Sequence, residues 1–176
     1  MELFDLHDAD RKPLGSTMIR GENQPQDTCR IVVHCCLFNS EGLMLIQRRQ
    51  DFKEGWSGMW DITCGGSAIA GESSREAVQR ELFEELGIKI DFSKARPVLT
   101  VHFDHGFDDI YTAIKDVDIS TLTLQKEEVA EVKWATEDEI NSMINEGSFI
   151  PYHENLIGLL FFMRNNRGTF TKEENN

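Results

Sequence analysis

The feature that most constrains this chain is a helix whose start and stop are both written in its sequence. Ser73-Ser74-Arg75-Glu76 fits a capping box, with Ser73 as N-cap and Glu76 reaching back to it, and Gly87 stands where a helix ends in a left-handed turn. These signals bound a helix at 74–86. On a wheel of about 100° per residue, Val78, Leu82 and Leu86 fall on one ridge, the face a core would cover. Beside the ridge, Glu81, Glu84 and Glu85 crowd an arc of about 100°, with only Ala77 between them. Like charges at these spacings repel by roughly 0.2–0.5 kcal/mol per pair. The arc is therefore either a solvated acidic face or a place where a cation gathers.

The rest of the chain supplies a sheet for this helix to cover. Leu3-Phe4-Asp5-Leu6 is a short strand candidate that ends at the turn-rich HDADRKPLG. Arg30 to Phe38 is an apolar, β-branched run, Asn39-Ser40-Glu41-Gly42 supplies turn chemistry, and Leu43 to Arg48 continues as the second arm of a hairpin. A Gly- and Trp-rich loop, a short strand from Asp61 to Cys64 and the pair Gly65-Gly66 lead into the helix. Val98 to Asp104 and Phe107 to Lys115 form a further antiparallel pair, and Val129 to Ala135 alternates as a strand should. Thr136 with Glu139 makes a second capping box closed by Gly147, and residues 152–165 place Leu156, Leu159, Leu160 and Met163 at helical spacing. The sum is an α/β fold with a mixed sheet and two or three helices. No repeat or linker interrupts it, so a single domain over 1–176 is expected, with 1–29 as a strand and turn region and 171–176 as a frayed tail.

Composition narrows the function. A 40% apolar fraction with 11 Phe and 3 Trp in 176 residues builds a packed core and excludes a disordered chain. The net charge of −13 argues against nucleic-acid duplexes and anionic membranes, whose affinity comes from Lys and Arg. An anionic ligand would need a divalent cation to offset the repulsion. The start MELFDLHDAD lacks the basic and apolar regions of a signal peptide, and the longest apolar runs are too short to span a bilayer, so a soluble, cytoplasmic protein is expected. Cys29, Cys35, Cys36 and Cys64 have no CxxC spacing and read as small apolar residues, with Cys35 and Cys36 on opposite sides of a strand.

From Gly66 the chain runs Gly66-x5-Glu72-x7-Arg80-Glu81-Leu82-Phe83-Glu84-Glu85-Leu86-Gly87-Ile88, which resembles the signature of the Nudix hydrolases, G-x5-E-x7-R-E-U-x-E-E-x-G-U with U aliphatic. Every fixed and aliphatic position agrees. The resemblance implies an α/β/α sandwich with a mixed β-sheet between helices. It also implies a Mg²⁺-dependent pyrophosphohydrolase, with Mn²⁺ as substitute, cleaving a nucleoside diphosphate derivative or related small diphosphate. Such an ion bridges phosphate oxygens and lowers the pKa of bound water, and it prefers hard oxygen ligands. By resemblance Glu84, Glu85 and the Gly65 carbonyl are metal ligands, and Glu81 is a third ligand or the base. Arg80 orients the glutamates, while Gly66, Glu72 and Gly87 are structural parts of the box. Members of the family are often dimers, so a homodimer is compatible.

Outside the box, Glu127 and Glu128 are candidates for an additional base or simply an acidic turn, and Arg48 or Arg49 for gripping a phosphate or pairing with acidic surface. Trp56, Phe103 and Tyr111 are candidates to stack on a base or line the substrate pocket, with the core as the competing place. His34, His102 and His105 read as packing or hydrogen-bonding residues rather than metal ligands. Several further segments, from LFDLHDADRKPLGSTMIRGE to Gly58-Met59-Trp60-Asp61-Ile62, look like the branch related to isopentenyl-diphosphate isomerase. Isomerases of that type carry a Cys and a His where Gly65 and Ser67 stand here, and Cys64 is one residue off on a strand. Hydrolysis is thereby favoured over isomerisation. It is favoured also over a non-catalytic binding module, which would have lost box carboxylates.

Overall fold

The computed structural model describes residues 2–168 and 170, so the expected frayed tail at 171–176 lies outside the described residues. Two strands, β1 (Leu3–His7) and β2 (Pro13–Ile19), form a small antiparallel sheet of their own. Seven others form the main sheet: β3 (Arg30–Phe38), β4 (Met44–Arg49), β5 (Trp60–Asp61), β6 (Cys64–Ser67), β7 (Leu99–Phe103), β8 (Gly106–Ile114) and β9 (Val129–Ala135). Three helices complete the fold, α1 (Ser74–Leu86), α2 (Glu137–Glu146) and α3 (Glu154–Met163), with a 3-10 turn at Ile119–Thr121.

The main sheet is mixed. β3 and β8 run parallel from Arg30↔Gly106 to Phe38↔Ile114, and the other pairs are antiparallel. Its path is β5-β4-β3-β8-β7, with β6 added to β3 and β9 to β4. The β3–β4 hairpin forms where expected, yet the two strands pair only at Phe38↔Met44 before they part. Thr63 holds the gap: its hydroxyl accepts from the Leu37 N–H at 2.8 Å and donates to the Leu45 carbonyl. The strand expected at Asp61 to Cys64 is consequently two strands, β5 on β4 and β6 on β3, with Ile62 and Thr63 crossing between the arms. β2 was not foreseen, because most of it is exposed and shows no apolar alternation.

Alternation along β3 sends successive side chains into two cores. Ile31, Val33, Cys35 and Leu37 meet Val78, Leu82 and Leu86 of α1, whereas Cys36 and Phe38 meet Ile140 of α2 and Ile157, Leu160 and Phe161 of α3. The result is an α/β/α sandwich. Each fully buried Val or Leu of the α1 ridge contributes about 1.5–3 kcal/mol, ample to hold a helix crowded with like charges. The β1–β2 hairpin is tied on by Arg11, whose guanidinium grips buried Asp109 with both amino groups, and by Asp5, which accepts from the Gly71 N–H at 2.7 Å. Among the described residues no helix is long and apolar enough to cross a membrane.

Candidate active site

The site is built around α1. Ser73 Oγ accepts from the Glu76 N–H while the Glu76 carboxylate accepts from the Ser73 N–H at 2.8 Å, closing the capping box, and Gly87 turns the chain with φ 73°. This geometry delivers the three glutamates at graded depth: Glu84 is half exposed, Glu81 mostly covered and Glu85 buried at 5% exposure.

Arg80 organises the shallower two. Its guanidinium donates to both Glu72 oxygens at 2.8 and 3.0 Å, to Glu81 and Glu84 at 3.0 Å each, and to the Ser67 carbonyl at 3.1 Å. Glu72 also accepts from the Ile69 N–H, so it braces the loop before α1. The two glycines of β6 make room on its two faces. A Cβ on Gly66 would lie 2.0 Å from a Glu81 carboxylate oxygen, and one on Gly65 would lie 2.2 Å from Cδ2 of His34. Only glycine admits both neighbours.

Glu85 sits deepest. Gln47 of β4 donates to it at 2.8 Å, and the Gln47 carbonyl oxygen is itself buried without a partner among the described residues. Burial pushes the Glu85 carboxyl well above the usual carboxylate range, and the charges of Glu81, Glu128 and Asp61 push it further, against the Gln47 bond. Burial likewise raises Glu81 to about 7, opposed by Arg80. A buried carboxylate ringed by carboxylates and met only by a neutral amide is a natural cation site, and its donors are the hard oxygens that Mg²⁺ or Mn²⁺ take. Among the described residues no three acidic, His or Cys side chains already converge as a cage, because Arg80 holds Glu81 and Glu84 toward itself. The donor set fits a divalent ion, which Glu85 would hold together with Glu81 and Glu84 where these leave Arg80.

The NUDIX domain pattern matches residues 28–156, spanning β3, the box and the start of α3. The chain belongs to the Nudix family. It is similar to the Nudix hydrolase lmo0368 of Listeria monocytogenes, 46% identical over 165 residues that cover 94% of this chain and 96% of that protein. It is also similar to the Nudix hydrolase PA4841 of Pseudomonas aeruginosa, 31% identical over 159 residues with 86% of each covered. Its fold is shared with DR0079 of Deinococcus radiodurans, with a TM-score of 0.72 at 24% identity over 90% of this chain and 97% of that one. A bifunctional NMN adenylyltransferase/ADP ribose pyrophosphatase of Francisella tularensis, solved with AMP and a manganese ion, aligns with a TM-score of 0.59 at 18% identity, over 82% of this chain and 44% of that one. This Nudix protein is thus a hydrolase of phosphorus-containing anhydrides. The family generally works with divalent cations on nucleoside diphosphate derivatives.

The candidates outside the Nudix box separate. Glu128 faces Lys53 at 2.6 Å and lies close enough to act on Glu85, whereas Glu127 is exposed. Arg48 is taken up by the surface carboxylates Asp51 and Glu131, at 3.0 and 3.3 Å. Arg49 instead approaches buried Asp61 at 3.9 Å and keeps a buried Nε with no partner among the described residues. Trp56 stands half exposed on the 51–58 loop with φ 52°. Phe103 is turned to Arg30, whose guanidinium lies 5.7 Å from its ring centroid, and packs against Gly106. Tyr111 is a correction: it is buried at 1% exposure, edge-on to Phe92, and its hydroxyl meets Ser74 Oγ at 2.6 Å. It belongs to the core under the start of α1 because β8 alternation turns it to the helix side.

Sequence reasoning missed Gln47, Asp61, Asp108 and Tyr152, and took His34 as a packing or hydrogen-bonding residue without finding its partner. His34 Nδ1 bonds Asp108 at 2.7 Å; burial disfavours the imidazolium, but the Asp108 bond and charge outweigh it and the net shift is upward. Tyr152 donates to Asp61 at 2.9 Å, and burial raises the Asp61 carboxyl. The available signal was polar residues, Gln47 and His34 among them, interrupting otherwise apolar strands.

Proposed function

We propose that this Nudix protein is a Mg²⁺-dependent pyrophosphohydrolase, with Mn²⁺ able to substitute, that cleaves the diphosphate linkage of a nucleoside diphosphate derivative or a related small diphosphate. The observation that carries the reading is Glu85, a buried carboxylate among carboxylates with no cationic partner among the described residues. Glu84, Glu85 and the Gly65 carbonyl would hold the ion, with Glu81 as a third ligand or as the base, and the ion would supply charge neutralisation of the phosphates and an acidified water. Arg80 keeps Glu81 and Glu84 from drifting to solvent and releases them as they turn inward. Gln47 fixes the orientation of Glu85 through its amide. Arg49, with a free buried donor, steadies a phosphate oxygen, a role closed to Arg48 by its surface partners. The proton of the attacking water passes to Glu81, where it is not a ligand, or to Glu128, the charges of both of which act on Glu85.

The isomerase reading is opposed by Cys64, which is 1% exposed in the core beside Cys35 with its thiol pKa pushed well up, so it offers no nucleophile. The test is release of monophosphate from a panel of nucleoside diphosphate derivatives and small diphosphates with Mg²⁺ and with Mn²⁺. Turnover of at least one member that vanishes on chelation is expected; inertness across the panel sinks the reading.

A further inference from the structure

The main sheet ends on one side at β7, which pairs with β8 along one edge and, among the described residues, with no strand along the other. The direction of its backbone groups follows from β8. The His105 carbonyl accepts from the Arg30 N–H at 3.0 Å, on the β3 side, and the Ile110 carbonyl accepts from the Val98 N–H at 2.8 Å, on the β7 side. Successive residues of a strand point their N–H and C=O to opposite edges, so odd-numbered residues from His105 onward address β3 and even-numbered ones address β7. Gly106, Asp108 and Ile110 therefore bond Phe103, Val101 and Leu99, and the N–H and C=O groups of Thr100 and His102 are aimed outward.

Sheet edges are commonly guarded by Lys, Pro or other charges. The outer strand β9, which pairs with β4, carries Glu131 and Lys133. β7 reads Leu99-Thr100-Val101-His102-Phe103 with no Lys, Arg, Asp, Glu or Pro, in a chain that is 28% charged, and Val101 and Phe103 are exposed. Two copies of a chain of net charge −13 repel, and contact is least opposed where the surface is free of charge. The strand is also its own complement. Two copies laid antiparallel about a two-fold axis at Val101 set Val101 against Val101, Leu99 against Phe103 and Thr100 against His102. An axis at Thr100 opposes His102 to Val98, whose N–H is spent on Ile110, and an axis at His102 opposes Thr100 to the turn residue Asp104. Of the three, only the axis at Val101 uses every outward group.

We propose that β7 docks on β7 of a second copy of this chain, joining the two main sheets into one through the main-chain bonds of two symmetric Thr100–His102 pairs. The bonds satisfy the outward groups, and the pairing takes Val101 and Phe103 out of water on the α3 side of the sheet. A contact of five residues a side lies at the small end of specific interfaces, so a reversible dimer with a Kd of about 10–100 μM is expected. The inference is independent of the reaction at the box.

The test is sedimentation equilibrium of the full chain at about 10–500 μM. The wild type is expected to move from the mass of one chain toward that of two. Val101→Lys, at an exposed position, sets two ammonium groups against each other on the axis and should weaken association by about tenfold or more. Cross-linking reads the register. Directly opposite residues that exchange no main-chain bonds have Cα atoms about 4.5 Å apart, within the roughly 4.4–6.8 Å that a disulfide spans, so diamide should join Val101→Cys to its copy. His102→Cys, whose two copies stand about 8–9 Å apart across the axis, should stay at the background set by the wild-type chain, in which Cys35, Cys36 and Cys64 are buried. A wild type monomeric throughout, a Val101→Lys protein as dimeric as wild type, a Val101→Cys protein that does not cross-link, or a His102→Cys protein that cross-links as readily overturns the proposal.

Discussion

Helices α1 and α2 are built with the same devices and use acidic residues in opposite ways. Each begins with a capping box, Ser73 with Glu76 and Thr136 with Glu139, and each ends at a left-handed glycine. In α2 the acids Glu137, Asp138 and Glu139 occupy the first turn, where the partial positive charge of the helix N-terminus favours them. In α1 three glutamates stand in the last two turns, no basic residue sits in the final turn, and Glu85 is buried as well. The dipole, mutual repulsion and desolvation all oppose that arrangement. One helix places charge where the fold wants it; the other places charge where only a cation wants it.

The largest effect that tests this contrast is on turnover. Glu85→Gln should lower turnover about 1,000-fold, the equivalent of the several kcal/mol that a metal supplies, while the metal-free protein melts no lower than wild type. A parallel loss of activity and melting temperature would break the comparison, because Glu85 would then be holding the fold.

Next comes pH. Glu81 ionises near 4.3 in the unfolded chain and at about 7 in the folded one, so between those values the native state binds more protons and its stability falls as pH rises. The loss amounts to about 4 kcal/mol, complete above pH 7 and absent below about 4. Urea unfolding of the metal-free protein should show this slope relative to Glu81→Gln, and saturating Mg²⁺ should flatten it. Removing the organiser, Arg80→Met, leaves Glu72, Glu81 and Glu84 without their cation and is expected to cost about 2 kcal/mol and about 10–100-fold in metal affinity, readable by titration with Mn²⁺.

On α2 the same measurements should register only stability. Thr136→Ala costs about 1 kcal/mol in denaturant unfolding with unchanged turnover. Asp138→Asn costs about 0.3 kcal/mol and alters no kinetic constant. An effect of either on metal affinity would mean that the acidic surface outside the box serves the cation too.

The box helix, both capping boxes and the strand Val129–Ala135 were legible in the sequence because caps and alternation act within a few residues. The parting of β3 and β4 was not, since it depends on the Thr63 hydroxyl entering from another segment. Tyr111 could equally have faced a ligand; the direction of β8 beneath α1 decided for Ser74 and Phe92. Arg48 and Arg49 are adjacent and chemically identical, and only their neighbours distinguish them: Asp51 and Glu131 at the surface, buried Asp61 inside.

The sequence by itself determined where α1 begins and ends, which of its faces is apolar and which carboxylates share an arc, because each rests on interactions within about one or two helical turns. The tertiary structure decided how deep each carboxylate lies and what it meets. Gln47 reaches Glu85 across 38 residues and His34 reaches Asp108 across 74, and the two glycines of β6 reveal their purposes only when Glu81 and His34 are packed against them. Such contacts are selected by the closure of the whole sandwich rather than by local preference, and so no periodicity along the chain announces them.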